Sequence, residues 1–345
     1  MSITTYEPKP IKNRLIALLV VGVLIFGVTK LFPDNPPAFL QKTTAKTETS
    51  TPDNISQLKG NSLDPNTLNK NFEISELKMV NDDSWPRLTG LVKNISKSNF
   101  QDVTLTVNTY ESNNKFIQTH YSEAYLLEAG QSWKFELPLF DKNTAFYYIT
   151  DIRGQDITGK TTSTPGLKIV SSELAAEGKY QYVTGIIENK SKMDFDEATV
   201  KMSIMDKAGT VMQYSSADIF CFESGQKWKF KIDVNDYIAY SYKLTEVKGK
   251  AKPDVQHFAP GLEVVNSSFY LTEYNTKIKG TIKNNSLNHY SYASLIINVF
   301  DKKGYLLTSI YENHGALSSG SSWNFDVNTY SEDIGSFKIA EMQAN

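Results

Sequence analysis

The sequence predicts an all-β protein: three tandem antiparallel β-sandwich modules behind one transmembrane helix and a disordered linker. Three observations predict it. A tryptophan-centred stretch recurs every 95 residues, as Gly130-Gln131-Ser132-Trp133-Lys134-Phe135, Gly225-Gln226-Lys227-Trp228-Lys229-Phe230 and Gly320-Ser321-Ser322-Trp323-Asn324-Phe325. Each copy alternates, Trp133, Phe135 and Leu137 against Lys134 and Glu136 in the first, which is the period of a strand with one buried and one wet face. Upstream, Leu15–Phe32 is an apolar run broken only by Lys30, close to the roughly 20 residues that cross a bilayer.

Residues 1–14 form a short polar head with Lys9, Lys12 and Arg14. Positive charge before an apolar run keeps the head in the cytoplasm and exports the chain beyond the run. The rival for 15–32 is a cleaved signal peptide, whose apolar core is about 7–15 residues. No Ala-x-Ala and no lipid-bearing Cys succeeds the run, which favours an uncleaved anchor. Residues 33–69 are rich in Pro, Thr, Lys and Asp and lack a hydrophobic period, so they are expected to be a disordered linker. Coil of that length spans roughly 30–35 Å on average.

The modules are expected at 70–164, 165–259 and 260–345. A 95-residue period suits a unit with its own core better than a solenoid repeat of about 20–50 residues. In module 1 the expected strands are Phe72–Val80, Arg87–Asn94, Val103–Tyr110, Lys115–Tyr125, the Trp strand and Ala145–Ile152, with a turn at Asn113-Asn114. Six or seven short strands punctuated by turns argue for an antiparallel sandwich. The register holds across copies at Gly90, Gly185 and Gly280, and at Asn94, Asn189 and Asn284. The joints Gly154–Pro165 and Gly249–Pro260 read as short semi-stiff spacers, giving beads on a string with limited swing. Net charges of +2 for 1–69 and of −2, 0 and −2 for the modules argue against a surface that tracks nucleic-acid phosphates.

Residues that could carry chemistry have structural readings beside the functional ones. The three repeated tryptophans read as core rather than ligand platform, because alternation sets them with Phe and away from the charges. Asp206-Lys207-Ala208-Gly209 and Asp301-Lys302-Lys303-Gly304 read as type I turns rather than metal carboxylates. Asn94-Ile95-Ser96, Asn189-Lys190-Ser191 and Asn284-Asn285-Ser286 satisfy the N-glycosylation pattern, yet a side-chain-bonded turn is the stronger reading unless the host glycosylates. The histidines, at 120, 257, 289 and 314, share no offset in the repeat and read as surface or loop residues. Cys221, the single cysteine, reads as a small buried hydrophobe and excludes an internal disulfide. No catalytic, cofactor-binding or metal-binding residues are therefore assigned, and no cofactor is expected.

Three pieces together resemble the FxLYD domain of extracytoplasmic bacterial and archaeal proteins. They are the Gly-x-x-x-Asn-x-Ser piece, the Gly-x-x-Trp-x-Phe strand and degenerate Phe-x-Leu-Tyr-Asp-like strand ends: Val107-Asn108-Thr109-Tyr110-Glu111, Met202-Ser203-Ile204-Met205-Asp206 and Ile297-Asn298-Val299-Phe300-Asp301. The resemblance covers about 70–345. It implies immunoglobulin-like sandwiches behind a membrane anchor, with no catalytic residues to carry over. Many relatives carry a Cys-rich zinc ribbon before the membrane segment, which this chain lacks.

The expectation is a single-pass, non-enzymatic cell-envelope protein, anchored by residues 15–32 with 33–345 extracytoplasmic. Its modules would act as a spacer and protein-interaction array with an envelope protein as partner, and with neither nucleic acid nor a small-molecule substrate. The alternatives are a wall-polymer or carbohydrate binder using exposed aromatics, drawn from 19 Tyr, and an accessory subunit of a membrane complex.

Overall fold

The computed structural model describes residues 62–63, 69–80, 85–158, 163–235, 239–252, 258–331 and 333–345. The expected head 1–14, transmembrane helix 15–32 and most of the linker 33–69 lie outside the described residues. Among the described residues no helix is long and apolar enough to cross a membrane.

Strands account for almost all of the regular structure. Module 1 comprises β2 (Phe72–Val80), β3 (Arg87–Asn94), β4 (Phe100–Tyr110), β5 (Phe116–Leu127), β6 (Ser132–Pro138) and β7 (Phe146–Asp156), preceded by β1 (Ser62–Leu63). Module 2 repeats them as β8 (Leu167–Glu177), β9 (Tyr180–Asn189), β10 (Phe195–Met205), β11 (Val211–Phe222), β12 (Lys227–Val234) and β13 (Ser241–Ala251). Module 3 does so as β14 (Leu262–Leu271), β15 (Thr276–Asn284), β16 (Ala293–Asp301), β17 (Leu306–His314), β18 (Ser322–Thr329) and β19 (Ile334–Ala344). Each module sets one antiparallel trio, such as β2-β3-β6, against another, such as β7-β4-β5. The chain is thus all-β, built of repeated sandwich-like modules.

The tryptophan strand runs through the middle of each core. Trp133, Trp228 and Trp323 are 4%, 1% and 3% exposed. Each lies opposite a buried aliphatic of the second strand, as Val92↔Trp133, Ile187↔Trp228 and Ile282↔Trp323. Two residues on, Phe135, Phe230 and Phe325 lie opposite Gly90, Gly185 and Gly280. A Cβ on Gly185 would collide with the Ser171 carbonyl oxygen and stand 2.6 Å from the Phe230 ring. The ring occupies the space that a side chain would take, which explains the glycine at this step of every copy.

The Asn-x-Ser piece is a buried corner. Asn189 is fully buried; its Nδ2 donates to the carbonyls of Met193 (2.9 Å) and Phe222 (3.2 Å), and its Oδ1 accepts from Ser191 N (3.0 Å) and Oγ (2.6 Å). Asn94 and Asn284 repeat the pattern with Ser98 and Leu127, and with Asn288 and Leu317. An amide spent this way is closed to glycosylation, so the turn reading holds. The type I turns hold as well: Asp206 Oδ1 accepts from Ala208 N and Thr210 N at 2.8 and 2.9 Å, and Gly209 takes φ 82°. At the last turn Asp301 and Gly304 (φ 80°) do the same.

Three expectations need correction. The stretch expected to be unstructured contains Ser62–Leu63, which pairs in parallel with Tyr148–Ile149 at the edge of β7. The last strand of each module runs past its expected end, through Gly154 to Asp156 and through Gly249 to Ala251. The described far ends of the joints are not free spacer either, but bond to the last strand of the module they lead into: Thr164 N donates to the Val247 carbonyl (2.8 Å), and Gly249 N to Thr164 Oγ1 (2.9 Å). One repeat later Ala259 N donates to Met342 O at 2.8 Å. An edge strand carries unpaired backbone groups, and the described end of each joint satisfies one or two of them.

Candidate interaction surface

Among the described residues no group of three or more His, Cys, Asp or Glu is placed to hold a metal ion. Some buried polar side chains, Asn298 and Glu341 among them, lie instead where one module meets the next.

Neighbouring modules share a sheet. β11 of module 2 pairs in parallel with β6 of module 1, Val211 opposite Trp133, and β17 of module 3 pairs in parallel with β12, Leu306 opposite Trp228. Both contacts advance by one repeat, from 133 to 228 and from 211 to 306. Val211 and Leu306 are fully buried, each packing into the core of the preceding module. The result is two six-stranded sheets, each spanning two modules. A salt bridge repeats with the same register: Lys243 Nζ to Glu128 at 2.6 Å and Lys338 Nζ to Glu223 at 2.5 Å. These pairs are partly exposed, so each contributes well under about 1 kcal/mol. The apolar plugs carry more of the junction.

The polar filling differs between junctions. At the first, Tyr214 Oη donates to the Leu126 carbonyl and its ring lies 5.7 Å from that of Tyr125, over which Lys201 Nζ sits at 4.6 Å. Burial pushes the Tyr214 phenol well above its ordinary range, and Glu128 adds to the rise, so it stays a donor. At the second, Asn298 Nδ2 donates to the carbonyls of Phe220 and Cys221 at 3.2 and 3.1 Å, while Ser309 Oγ accepts from Phe220 N at 3.1 Å. Cys221 takes φ 51°, a conformation uncommon outside glycine.

Cys221 is buried, as expected, but its surroundings are not those of a simple hydrophobe. Its Sγ lies 3.4 Å from Lys252 Nζ and 3.6 Å from Glu341 Oε2, and those two charges pair at 2.5 Å almost out of solvent. Burial pushes the thiol up to about 11, Lys252 opposing the rise and Glu341 adding to it. Such a thiol is protonated and unreactive at neutral pH. Burial acts to lower the Lys252 ammonium, but the hydrogen bonds and charge interactions with Glu341 and Cys221 together outweigh this and leave it raised.

His120 also departs from expectation. It is 7% exposed, on β5, with Nε2 3.2 Å from both Thr109 Oγ1 and Gln118 Nε2. Burial lowers its pKa below the ordinary value. His314 stacks on Trp323 at 5.2 Å, and His289 lies 3.1 Å from Ser318 Oγ. His257 lies outside the described residues.

Aromatics capped by lysine lie near the hairpin between the first two strands of each module, Trp85 and Tyr270 exposed and Tyr182 half-buried. Lys142 sits over Trp85 at 5.5 Å, Lys231 over Tyr182 at 4.2 Å and Lys279 over Tyr270 at 5.6 Å. The 95-residue period placed buried aromatics correctly but not these, because they occupy different positions from copy to copy.

No family model and no curated protein matches the chain. Among solved structures, a β-glucuronidase 2 of Bacteroides uniformis, covalently bound to cyclophellitol-6-carboxylate aziridine, is 13% identical over 66% of this chain and 26% of its own, with a TM-score of 0.15. Dimeric latent PorU from Porphyromonas gingivalis is 10% identical over 77% of this chain and 31% of its own, also with a TM-score of 0.15. The chain thus spans about a quarter to a third of these proteins, and at that TM-score neither bears on its activity.

Proposed function

We propose that this chain is a membrane-anchored, extracytoplasmic spacer and protein-interaction array of the cell envelope, without catalytic activity of its own. The observation that supports it best is the repeated junction, in which each module plugs the core of its neighbour and extends its sheet. Modules joined in that way keep a set spacing, and their residues are spent on packing rather than chemistry. In this reading residues 15–32 are the single-pass anchor with the N-terminus in the cytoplasm. The sandwiches are immunoglobulin-like units of the FxLYD kind. The partner is an envelope protein, and no nucleic acid, cofactor or small-molecule substrate is involved.

Protease treatment of intact cells tests the reading. A probe against module 3 should lose its signal before lysis, while a probe on residues 1–14 keeps it. Module 3 that survives until the cells are broken would refute an extracytoplasmic array.

A second reading, binding of a wall polymer or glycan, is favoured by the lysine-capped aromatics Trp85, Tyr182 and Tyr270. Aromatic faces stack on sugars and lysines attract anionic polymers. Retention on purified cell wall that falls on combined Trp85→Ala, Tyr182→Ala and Tyr270→Ala substitution would support this reading over the first.

A further inference from the structure

Of the strand edges that can form a junction between modules, two have no neighbouring strand among the described residues: β5 in module 1 and β18 in module 3. They are the two halves of one junction. β5 corresponds to β11 and β17, which supply the plug; β18 corresponds to β6 and β12, which receive it. Phe116 stands where Val211 and Leu306 stand, yet those two are fully buried while Phe116 is 48% exposed. The polar part of the plugging face is kept too. Thr119 Oγ1 donates to Asn108 Oδ1 at 2.8 Å, matching Ser309 Oγ to Asn298 Oδ1 at 2.7 Å, the pair that grips module 2 from module 3. One feature is not kept. Tyr148 and Ser318 occupy the positions of the repeated lysine and glutamate.

We propose that a second copy of this chain docks end to end, the β18 edge of one copy lying parallel to the β5 edge of the next with Trp323 opposite Phe116. The inference deepens the function proposed above by naming a partner for the array. The contact is heterologous, so copies add head to tail, closing into a ring only where the rotation between them allows it. Internal junctions form within one chain, whereas this one must offset the cost of association. It also lacks the ion pair, so it is the weaker joint and depends on concentration.

Sedimentation velocity of the full-length chain in detergent, across a range of concentrations, tests the proposal. The expected result is reversible dimers and longer species, with Phe116→Glu weakening association at least about tenfold because the docked site would bury a charge. Circular dichroism of that variant checks that it folds. A second arm leaves the plug untouched. Tyr148→Lys and Ser318→Glu chains, mixed one to one, rebuild the missing pair across the joint. The mixture should associate about threefold more tightly than either variant alone, and the gain should vanish in about 0.5 M salt. A monomer at every concentration would overturn the proposal. So would association indifferent to both changes, as when two β18 edges pair antiparallel. A monomer whose module 3 is still shaved from intact cells leaves the spacer reading standing.

Discussion

Asn189 shows how much one side chain can hold when its whole hydrogen-bonding capacity is used. Its amide ties the end of β9 to the end of β11 and shapes the turn after β9, all out of water. Asn189→Ala would take a donor from the buried Phe222 carbonyl and the acceptor that shapes the turn, and a loss of about 2 kcal/mol is expected for module 2 in urea unfolding. A loss below about 1 kcal/mol would mean that water or a shifted backbone replaces the amide. His120 makes a prediction about pH. Its folded pKa lies below 6.5, the value that the unfolded chain regains. Between those two values the unfolded state binds more protons, so stability falls as pH drops through 6.5 and levels off below the folded pKa. His120→Ser, the residue found at the same step of module 2, should reduce the difference between urea midpoints at pH 7 and pH 5. The corner asparagines and core tryptophans were legible because the repeat displays them three times. His120 was not: it occurs in one copy, and sequence alone does not say which face of β5 it shares.

At the scale of the element, strands were read well where both faces differ in polarity and less well at their ends. The alternation along Trp228, Phe230 and Ile232 placed β12 correctly, and β2 matched its expected bounds. The early part of β4 was missed because Asp102, at φ 51°, sits where the pairing slips and the alternation breaks. The element most exposed to test is β17. Leu306 is fully buried in the core of module 2 although it belongs to module 3. Leu306→Asp should uncouple the two modules at a cost of about 3 kcal/mol or more, splitting a shared urea transition, monitored by tryptophan fluorescence, into two. A single unshifted transition would show that the junction contributes nothing to stability.

At the scale of the whole molecule, the described array behaves as a row in which each unit leans on its neighbours. Module 2 is held on both sides and modules 1 and 3 on one. Amide exchange in the central strands β9 and β10 should therefore be slower than in β3 and β15, as read by mass spectrometry. Faster exchange in module 2 would place the stability in the separate cores instead. The sequence by itself determined the number of modules, the succession of strands along each and the inward tryptophans, because burial on alternate positions is a local pattern and duplication prints it repeatedly. Only the tertiary structure decided that the modules share sheets, that Thr164 and Ala259 bond to edge strands and that Cys221 lies beside a buried ion pair. Those contacts run through backbone groups that every residue carries, or between side chains 31, 89 and 120 positions apart, and neither leaves a mark in composition or period.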